Sequence, residues 1–256
     1  MNNVYLPVGV FLIGLLCGSF LNSVIYRMKE IMSVFSHRSH CPHCKEDLKW
    51  YDLVPLFSFI ALSGKCRKCN KKISWQYPIV ELSTALLFVW IYLYFGLSVM
   101  SISLMIISLF LIVIFVYDLY YEIIPDVIMI PAIGIWILVW IGMVLFDYPM
   151  LSSFSNLIIG AIIAGALILF LVVATKGKGM GGADIKLAFL LGFIVGWPNV
   201  LVSLMMAFVL GAVVGIVLII FKLKKMKSSI AFGPFLIAGF YFVLFYGEKV
   251  INWYLR

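Results

Sequence analysis

The sequence contains few charged residues, and acidic residues are the scarcest of them. Only 12% of the 256 residues are charged, Asp and Glu together number 11, and 64% of the residues are hydrophobic. This balance excludes an ordinary soluble domain, which carries roughly 25% charged residues. Several apolar runs approach or exceed the about 20 residues that an α-helix needs to cross a bilayer. The composition predicts an all-α polytopic membrane protein embedded in a lipid bilayer.

The first apolar run lacks the features of a secretory signal. No basic segment precedes it, cleavage-site spacing is missing, and Arg27 and Lys29 close it on the wrong flank. We therefore expect a retained first span.

Hydropathy predicts about eight spans. They are placed near residues 4–26, 79–97, 99–117, 127–146, 153–175, 184–197, 199–221 and 230–247. The sixth of these is short, and the alternative is that residues 184–221 form one re-entrant or kinked unit.

Basic residues are concentrated in alternate loops. Ten of the nineteen lie between Arg27 and Lys72, and two smaller clusters lie at 176–186 and 222–227. Lys and Arg accumulate in cytoplasmic loops of membrane proteins, so this distribution explains the net charge of +8 better than nucleic-acid binding does. We expect no nucleic-acid partner. The loops predicted to be cytoplasmic are 27–78, 118–126, 176–183 and 222–229.

Cysteine is also scarce, but four of the five cysteines form two CxxC pairs. Cys41 and Cys44 are followed, after 21 intervening residues, by Cys66 and Cys69. This spacing is close to that of zinc ribbons, in which four thiolates hold one structural Zn²⁺. Two disulfides or a redox pair are the alternative, which a reducing cytoplasm disfavours. The loop is too small for a strong core of its own, so metal binding would supply folding energy.

Because acidic residues are so few, those at span edges are conspicuous. Carboxylates at membrane depth are costly and are functional candidates for that reason. Asp118 and Asp184 lie at predicted cytoplasmic ends of spans, 66 positions apart. Two carboxylates in one partly dry site share a proton. One can then activate a water while the other protonates the carbonyl or the leaving amine, which is aspartic-protease chemistry. Glu81, Glu122 and Asp126 have simpler interpretations as charges at helix starts or in loops.

The loop before Asp184 is rich in glycine and lysine. Glycine tolerates positive φ and close backbone approach, so an extended peptide could lie beside Asp184. The alternative is that Asp184 is only a helix N-cap. The glycines concerned are Gly177, Gly179, Gly181 and Gly182, and the lysines around them are Lys176, Lys178 and Lys186.

Five ordered motifs resemble those of the type IV prepilin peptidases, which are bacterial membrane aspartic proteases of the GxGD type. They are CGSFLNSVIYRM at 17–28, the cysteine loop at 36–81, YDLYYEIIPD at 117–126, GMGGADIKL at 179–187 and FGPFLIAG at 232–239. The resemblance implies that Asp118 and Asp184 are the catalytic pair. It also implies a supporting active-site loop of Asp126, Gly181, Gly182, Ala183 and Lys186. One departure is Ala183, which stands where the GxGD signature has glycine.

The same resemblance implies an activity and a location. Such enzymes cleave the leader of type IV prepilins and pseudopilins after a glycine, at the cytoplasmic face of the bacterial cell membrane. Many of them then methylate the new N-terminus with S-adenosylmethionine, for which 27–78 contains no Rossmann-type glycine fingerprint. The expected organisation is a first span at 1–26, a cysteine (zinc) domain at 27–78 that is associated with methyl transfer, and a membrane-embedded peptidase domain at 79–256.

Two other function classes fit parts of the sequence. A proton- or cation-coupled transporter could use Asp118 and Asp184 as an ion relay, but such transporters carry inverted repeats and the sequence has no convincing internal similarity. A non-catalytic scaffold could dock partners through the cysteine loop. Nothing in the sequence specifies an oligomeric state.

Overall fold

The secondary structure is almost entirely helical. The computed structural model describes residues 5–29, 39–148, 153–177, 180–223 and 230–254. In this part of the chain, apart from turns and loops, the only regular structure other than α-helix is a short 3₁₀ turn (Trp50–Leu53) and two isolated β-bridges. The helices are α1 (Tyr5–Lys29), α2 (Phe57–Ala61), α3 (Gln76–Phe95), α4 (Val99–Tyr121), α5 (Asp126–Leu145), α6 (Phe154–Ala174), α7 (Gly182–Val195), α8 (Asn199–Ile220) and α9 (Gly233–Tyr254).

Seven of the described helices are long and apolar enough to cross a membrane. They are α1, α3, α4, α5, α6, α8 and α9, and they confirm the predicted all-α membrane fold. The main differences from the predicted bounds lie at C-terminal ends. Helix α4 continues past Asp118 to Tyr121, and α9 continues to Tyr254. Helix α4 ends where Glu122 adopts a φ of 53°, three residues before Pro125.

The sixth predicted span is the short helix α7. Its 14 residues extend over about 21 Å, which is less than the roughly 30 Å hydrocarbon core of a bilayer. Helix α7 packs against α6, α9 and α5, and most of its side chains are buried on all sides. It is a separate helix from α8, which begins at Asn199. A helix of this length and burial packs mainly against other helices of the protein.

The chain divides into two compact units, Met1–Val113 and Ile114–Arg256. In the first unit α1 packs along α3. The contact depends on two glycines one turn apart, because a Cβ at Gly14 would lie 2.6 Å from Ala85 Cα and a Cβ at Gly18 would lie 2.7 Å from Glu81 Cα. Small residues spaced in this way allow the backbones of membrane helices to approach closely.

The second unit uses the same kind of close crossing twice. Helices α6 and α7 cross at Gly160 and Gly192, where a Cβ on Gly192 would lie 2.5 Å from the carbonyl oxygen of Gly160. Helices α8 and α9 meet at Gly239, against the backbone of Ser203. The position of α7 inside this unit therefore depends on the absence of a side chain at its crossing with α6.

Replacing Gly192 by alanine tests this crossing. The added methyl group overlaps the backbone of α6, and overpacking of this kind costs about 1–3 kcal/mol. We expect Gly192→Ala to lower the thermal unfolding midpoint of the detergent-solubilised protein. The matched control is Gly142→Ala on α5, where a Cβ meets nothing within 4 Å. Equal midpoints for the two variants would contradict the close crossing.

Candidate active site and cysteine cluster

Asp118 lies in the last turn of α4 and is only 4% exposed. Its Oδ2 accepts a hydrogen bond of 3.0 Å from the backbone N–H of Gly233, the first residue of α9. This approach requires glycine, since a Cβ at position 233 would lie 2.6 Å from the same oxygen. The first N–H groups of a helix have no partner within the helix and favour anions. The N-terminus of α9 therefore stabilises the Asp118 carboxylate.

Asp184 is the third residue of α7 and is 7% exposed. Its Oδ2 accepts a hydrogen bond of 2.8 Å from the backbone N–H of Gly181. The N-cap residue is Gly181, so the interpretation of Asp184 as a helix N-cap is wrong. The carboxylate occupies the position from which capping-box acids bond back to the N-cap backbone. Asp184 is thus oriented by its own helix start.

The two carboxyl groups lie close enough for their charges to interact. Both side chains are buried, and each binds one backbone N–H through Oδ2. Within the described part of the chain, no further hydrogen bond to the side-chain carboxyl group of Asp118 or Asp184 is present. Each group therefore keeps a free oxygen, which can accept a hydrogen bond from a water or, when protonated, donate one to a carbonyl oxygen. The sequence indicated this pair because acidic residues are few and both aspartates lie at predicted cytoplasmic ends of spans. It gave Gly233 no role of its own, only a place in the FGPFLIAG motif.

The glycine loop uses positive φ at only one of its described glycines. Gly177 has a positive φ of 71°, but Gly181 has a φ of −86° and Gly182 is the first residue of α7. Helix α7 therefore begins two residues before the predicted span at 184. Ala183 follows in the same helical turn, where an L residue is unstrained. Lys178 and Gly179 lie outside the described residues.

The glycines still leave room beside Asp184. A Cβ on Gly182 would meet nothing within 4 Å, and a Cβ on Gly181 would lie 3.8 Å from Asp184 Oδ2. Both residues are exposed. The first turn of α7 therefore presents uncovered backbone next to the carboxylate, which is the close approach that the sequence predicted for these positions.

Asp126 and Lys186 form an ion pair outside the buried dyad. The Nζ of Lys186 donates a hydrogen bond of 2.7 Å to Asp126 Oδ1. Asp126 is the first residue of α5, and Lys186 lies in the first turns of α7. Both side chains are about half exposed, so the pair contributes little stability by itself. It links the start of α5 to the helix that carries Asp184.

The four predicted metal ligands form one cluster. The Sγ atoms of Cys41, Cys44, Cys66 and Cys69 all lie within 4.8 Å of one another, and none of these cysteines is in a disulfide. Cys41 Sγ is 3.9 Å from Cys69 Sγ, near the about 3.8 Å edge of a tetrahedron with Zn–S bonds of about 2.3 Å. This arrangement fits a four-thiolate metal site and opposes two separate disulfides.

Two equivalent turns build the cluster. Cys41 donates its N–H to Glu46 O and accepts from Lys45 N–H through its carbonyl, and Cys66 does the same with Lys71 and Asn70. Lys45 and Asn70 both have positive φ, of 58° and 55°. The same turn geometry thus occurs twice, 25 positions apart. Each turn directs its two thiols toward the other pair.

Backbone donors also favour thiolates in this cluster. Hydrogen bonds from the N–H groups of Cys69 and then Lys68 lower the pKa of the Cys66 thiol to about 7, against the opposing effect of burial. Metal ligation by cysteine requires the thiolate form. The turn geometry therefore prepares the sulfur for a cation.

Glu81 is a further buried carboxylate that the sequence left without a role. It lies in the span α3, is 7% exposed, and accepts a hydrogen bond of 2.9 Å from Leu56 N–H through Oε2. Leu56 adopts a φ of 60° at the start of α2. The sequence shows that Glu81 places a carboxylate in an apolar run, but the burial of the Glu81 side chain depends on the fold.

Comparison with protein families gives two matches along the chain. The model of the bacterial peptidase A24 N-terminal domain matches residues 12–95. The model of the type IV leader peptidase family matches residues 105–216. The second match includes Asp118 and Asp184, and the first includes the four clustered cysteines and Glu81.

Several characterised proteins are similar over nearly their full length. A prepilin leader peptidase/N-methyltransferase of Aeromonas hydrophila is 31% identical, covering 96% of this chain and 92% of the relative. One of Bacillus subtilis is 30% identical, covering 96% and 97%. One of Stutzerimonas stutzeri is 29% identical, covering 95% and 92%. No solved structure matches the chain.

Proposed function

Because the chain belongs to the type IV leader peptidase family, we propose that it cleaves the leader peptides of type IV prepilins or pseudopilins and then N-methylates the new N-terminus. The observation that carries the peptidase proposal is the pair of buried, interacting carboxyl groups of Asp118 and Asp184. The protein is a multi-pass membrane protein. The methyl donor of the second reaction is S-adenosylmethionine.

In the proposed cleavage the two aspartates share one proton. Like charges held close together in a partly dry site do not both ionise easily. The charged carboxylate takes a proton from a water, whose oxygen attacks the carbonyl carbon of the scissile peptide bond. The protonated carboxyl group then supplies the proton that the leaving amine needs. The hydrogen bonds from Gly181 and Gly233 hold both groups in place without occupying their Oδ1 atoms.

The surroundings of the dyad support a peptide substrate. The exposed backbone of Gly181 and Gly182 provides a surface on which an extended leader can lie next to Asp184. The ion pair of Asp126 with Lys186 fixes the first turns of α7 relative to α5. Asp126, Lys186 and Ala183 are therefore proposed as positioning residues that act through Asp184.

We propose that the active site faces the cytoplasm. Asp118 lies in the last turn of one span, and Asp184 lies in the first turn of the helix that follows a lysine-containing loop. Basic loops remain on the cytoplasmic side of a membrane. The loop before α7 carries Lys176, and the loop before α9, whose first residue binds Asp118, carries Lys222. The transporter alternative is not favoured, because the similar proteins are named as peptidases and methyltransferases.

Zinc is the proposed occupant of the four-cysteine cluster. Four thiolates in a tetrahedral arrangement are typical of structural zinc sites with no open position, and the sulfur separations suit that geometry. The ion has a folding role here, since the described residues between α1 and α3 (39–75) form only short helices, turns and isolated β-bridges.

Removing either aspartate charge tests the dyad. Asp118→Asn and Asp184→Asn each retain the side-chain volume but cannot exchange the required proton, so we expect leader cleavage to fall by about a hundredfold or more. Cleavage is measured with purified protein and a prepilin by the mobility shift of the product. Asp147→Asn, in an exposed turn after α5, is the charge-matched control. Normal cleavage by either dyad variant refutes the assignment.

Replacing Gly233 by alanine tests the support of Asp118. The new methyl group would overlap Asp118 Oδ2, so the carboxylate or the start of α9 must move. Misplacement of a reacting group by about 1 Å can cost on the order of a hundredfold in rate, and we expect a loss of cleavage of at least tenfold. Gly211→Ala, whose Cβ would make ordinary contacts of 3.5 Å, should retain the rate. Wild-type cleavage by Gly233→Ala would show that the contact is not needed.

Metal analysis tests the cysteine cluster. We expect one zinc per chain in protein purified without chelators, and loss of that zinc in Cys66→Ser because one of four ligands is missing. Cys17→Ser should keep its zinc, since Cys17 lies in α1 and is not part of the cluster. Emission spectroscopy measures the metal directly. Wild-type protein without zinc, or a zinc-loaded Cys66→Ser, counts against the assignment.

A further inference from the structure

A cavity of 570 Å³ lies within the first compact unit. It is enclosed by the cysteine segment and by the ends of α1 and α3. Its volume falls within the about 300–1,000 Å³ that is usual for small-molecule and cofactor sites. The residues that give it its chemistry are Tyr26 from α1, Phe59 from α2, Tyr77 and Glu81 from α3, and Lys71 and Lys72 beside the second cysteine turn.

We propose that this cavity binds S-adenosylmethionine, with the Glu81 carboxylate facing the positive charge of the ligand. The inference rests on the proposed methyltransferase activity and names its cofactor-binding residues, which the sequence left unassigned. It is independent of the aspartate dyad, because every residue that lines the cavity belongs to Met1–Val113.

Glu81 is the main argument for a cationic ligand. A buried carboxylate normally has a cationic partner or several hydrogen bonds. Glu81 accepts hydrogen bonds from Leu56 N–H and the Ser19 hydroxyl, but within the described part of the chain it is in no ion pair. Two of the cations that line the cavity are paired with other acids of the same lining, Arg67 with Asp52 and Lys68 with Glu46. A sulfonium or ammonium group in the cavity would neutralise the Glu81 charge.

The other lining residues suit the remaining parts of the same molecule. Tyr26, Phe59 and Tyr77 provide aromatic faces, which stack on a flat base such as adenine and attract cations through their π-systems. Lys71 and Lys72 place positive charge where an amino-acid carboxylate could bind. An adenine, a central cation and a carboxylate are the three recognisable groups of S-adenosylmethionine.

Binding of labelled S-adenosylmethionine to the full-length protein in detergent tests the proposal directly. Two variants alter the cavity in different ways. Glu81→Gln removes the charge and keeps the volume, and Ser23→Phe fills space, because Ser23 lines the cavity from α1. The controls are Glu248→Gln, an exposed acid on α9, and Ser83→Phe, an exposed serine on α3 that does not line the cavity.

We expect the wild-type protein and both controls to bind one S-adenosylmethionine per chain. Glu81→Gln should weaken binding by roughly tenfold or more, since it leaves the cation without its counter-charge, and Ser23→Phe should block binding. Both variants should keep their zinc and cleave leaders at the wild-type rate, while their products lack the N-terminal methyl group. If Glu81→Gln loses its zinc, its binding result no longer separates the cavity from the cysteine cluster. The Ser23→Phe result then decides whether the cavity binds S-adenosylmethionine.

Three results would overturn the inference. They are wild-type affinity in both cavity variants, no binding of S-adenosylmethionine by a wild-type protein that cleaves leaders, and photo-crosslinking of the bound ligand to peptides outside Met1–Val113. Failure of the peptidase proposal gives a different pattern, in which S-adenosylmethionine binds and leaders are not cleaved. The two hypotheses can therefore fail separately.

Discussion

A carboxylate buried among apolar helices must find hydrogen-bond donors, and the arrangement of the second unit depends on this requirement. Side chains in the spans offer few donors, so the donors come from backbone at helix starts. Gly233 supplies one for Asp118 and Gly181 supplies one for Asp184. The start of α9 must therefore contact the end of α4. The start of α7, in turn, is stabilised by the hydrogen bond from Gly181 N–H to the carboxylate of Asp184 in the same helix.

Close contact between backbones makes this arrangement possible. The first N–H of α9 can reach Asp118 only because position 233 has no side chain. The short helix α7 is held deep in the same unit by its crossing with α6 at Gly160 and Gly192. Glycine thus serves packing and electrostatics at once. In lipid, apolar burial contributes little to helix association, so close backbone contacts at glycine largely determine which helices pack together.

The sequence predicted the helices well and the site in part. Apolar runs of about 20 residues leave little choice of structure in a bilayer, and two CxxC pairs restrict the metal site almost as strongly. The contact of Gly233 with Asp118 joins residues 115 positions apart, so no local pattern contains it. The start of α7 at Gly182 lies two residues before the start that hydropathy predicted, because glycines add little hydropathy and the helix start includes the Gly181–Asp184 hydrogen bond.

Ala183 shows how the structure changes the meaning of a motif. If the glycines before Asp184 were needed for positive φ, alanine at position 183 would be strained. The residue instead lies in the first turn of α7, and the neighbouring Gly182 has open space where a Cβ would be. What the motif must preserve is therefore uncovered backbone near the carboxylate. The sequence Gly181-Gly182-Ala183 meets that requirement, because the two glycines are exposed and Ala183, which carries the methyl group, is half-buried.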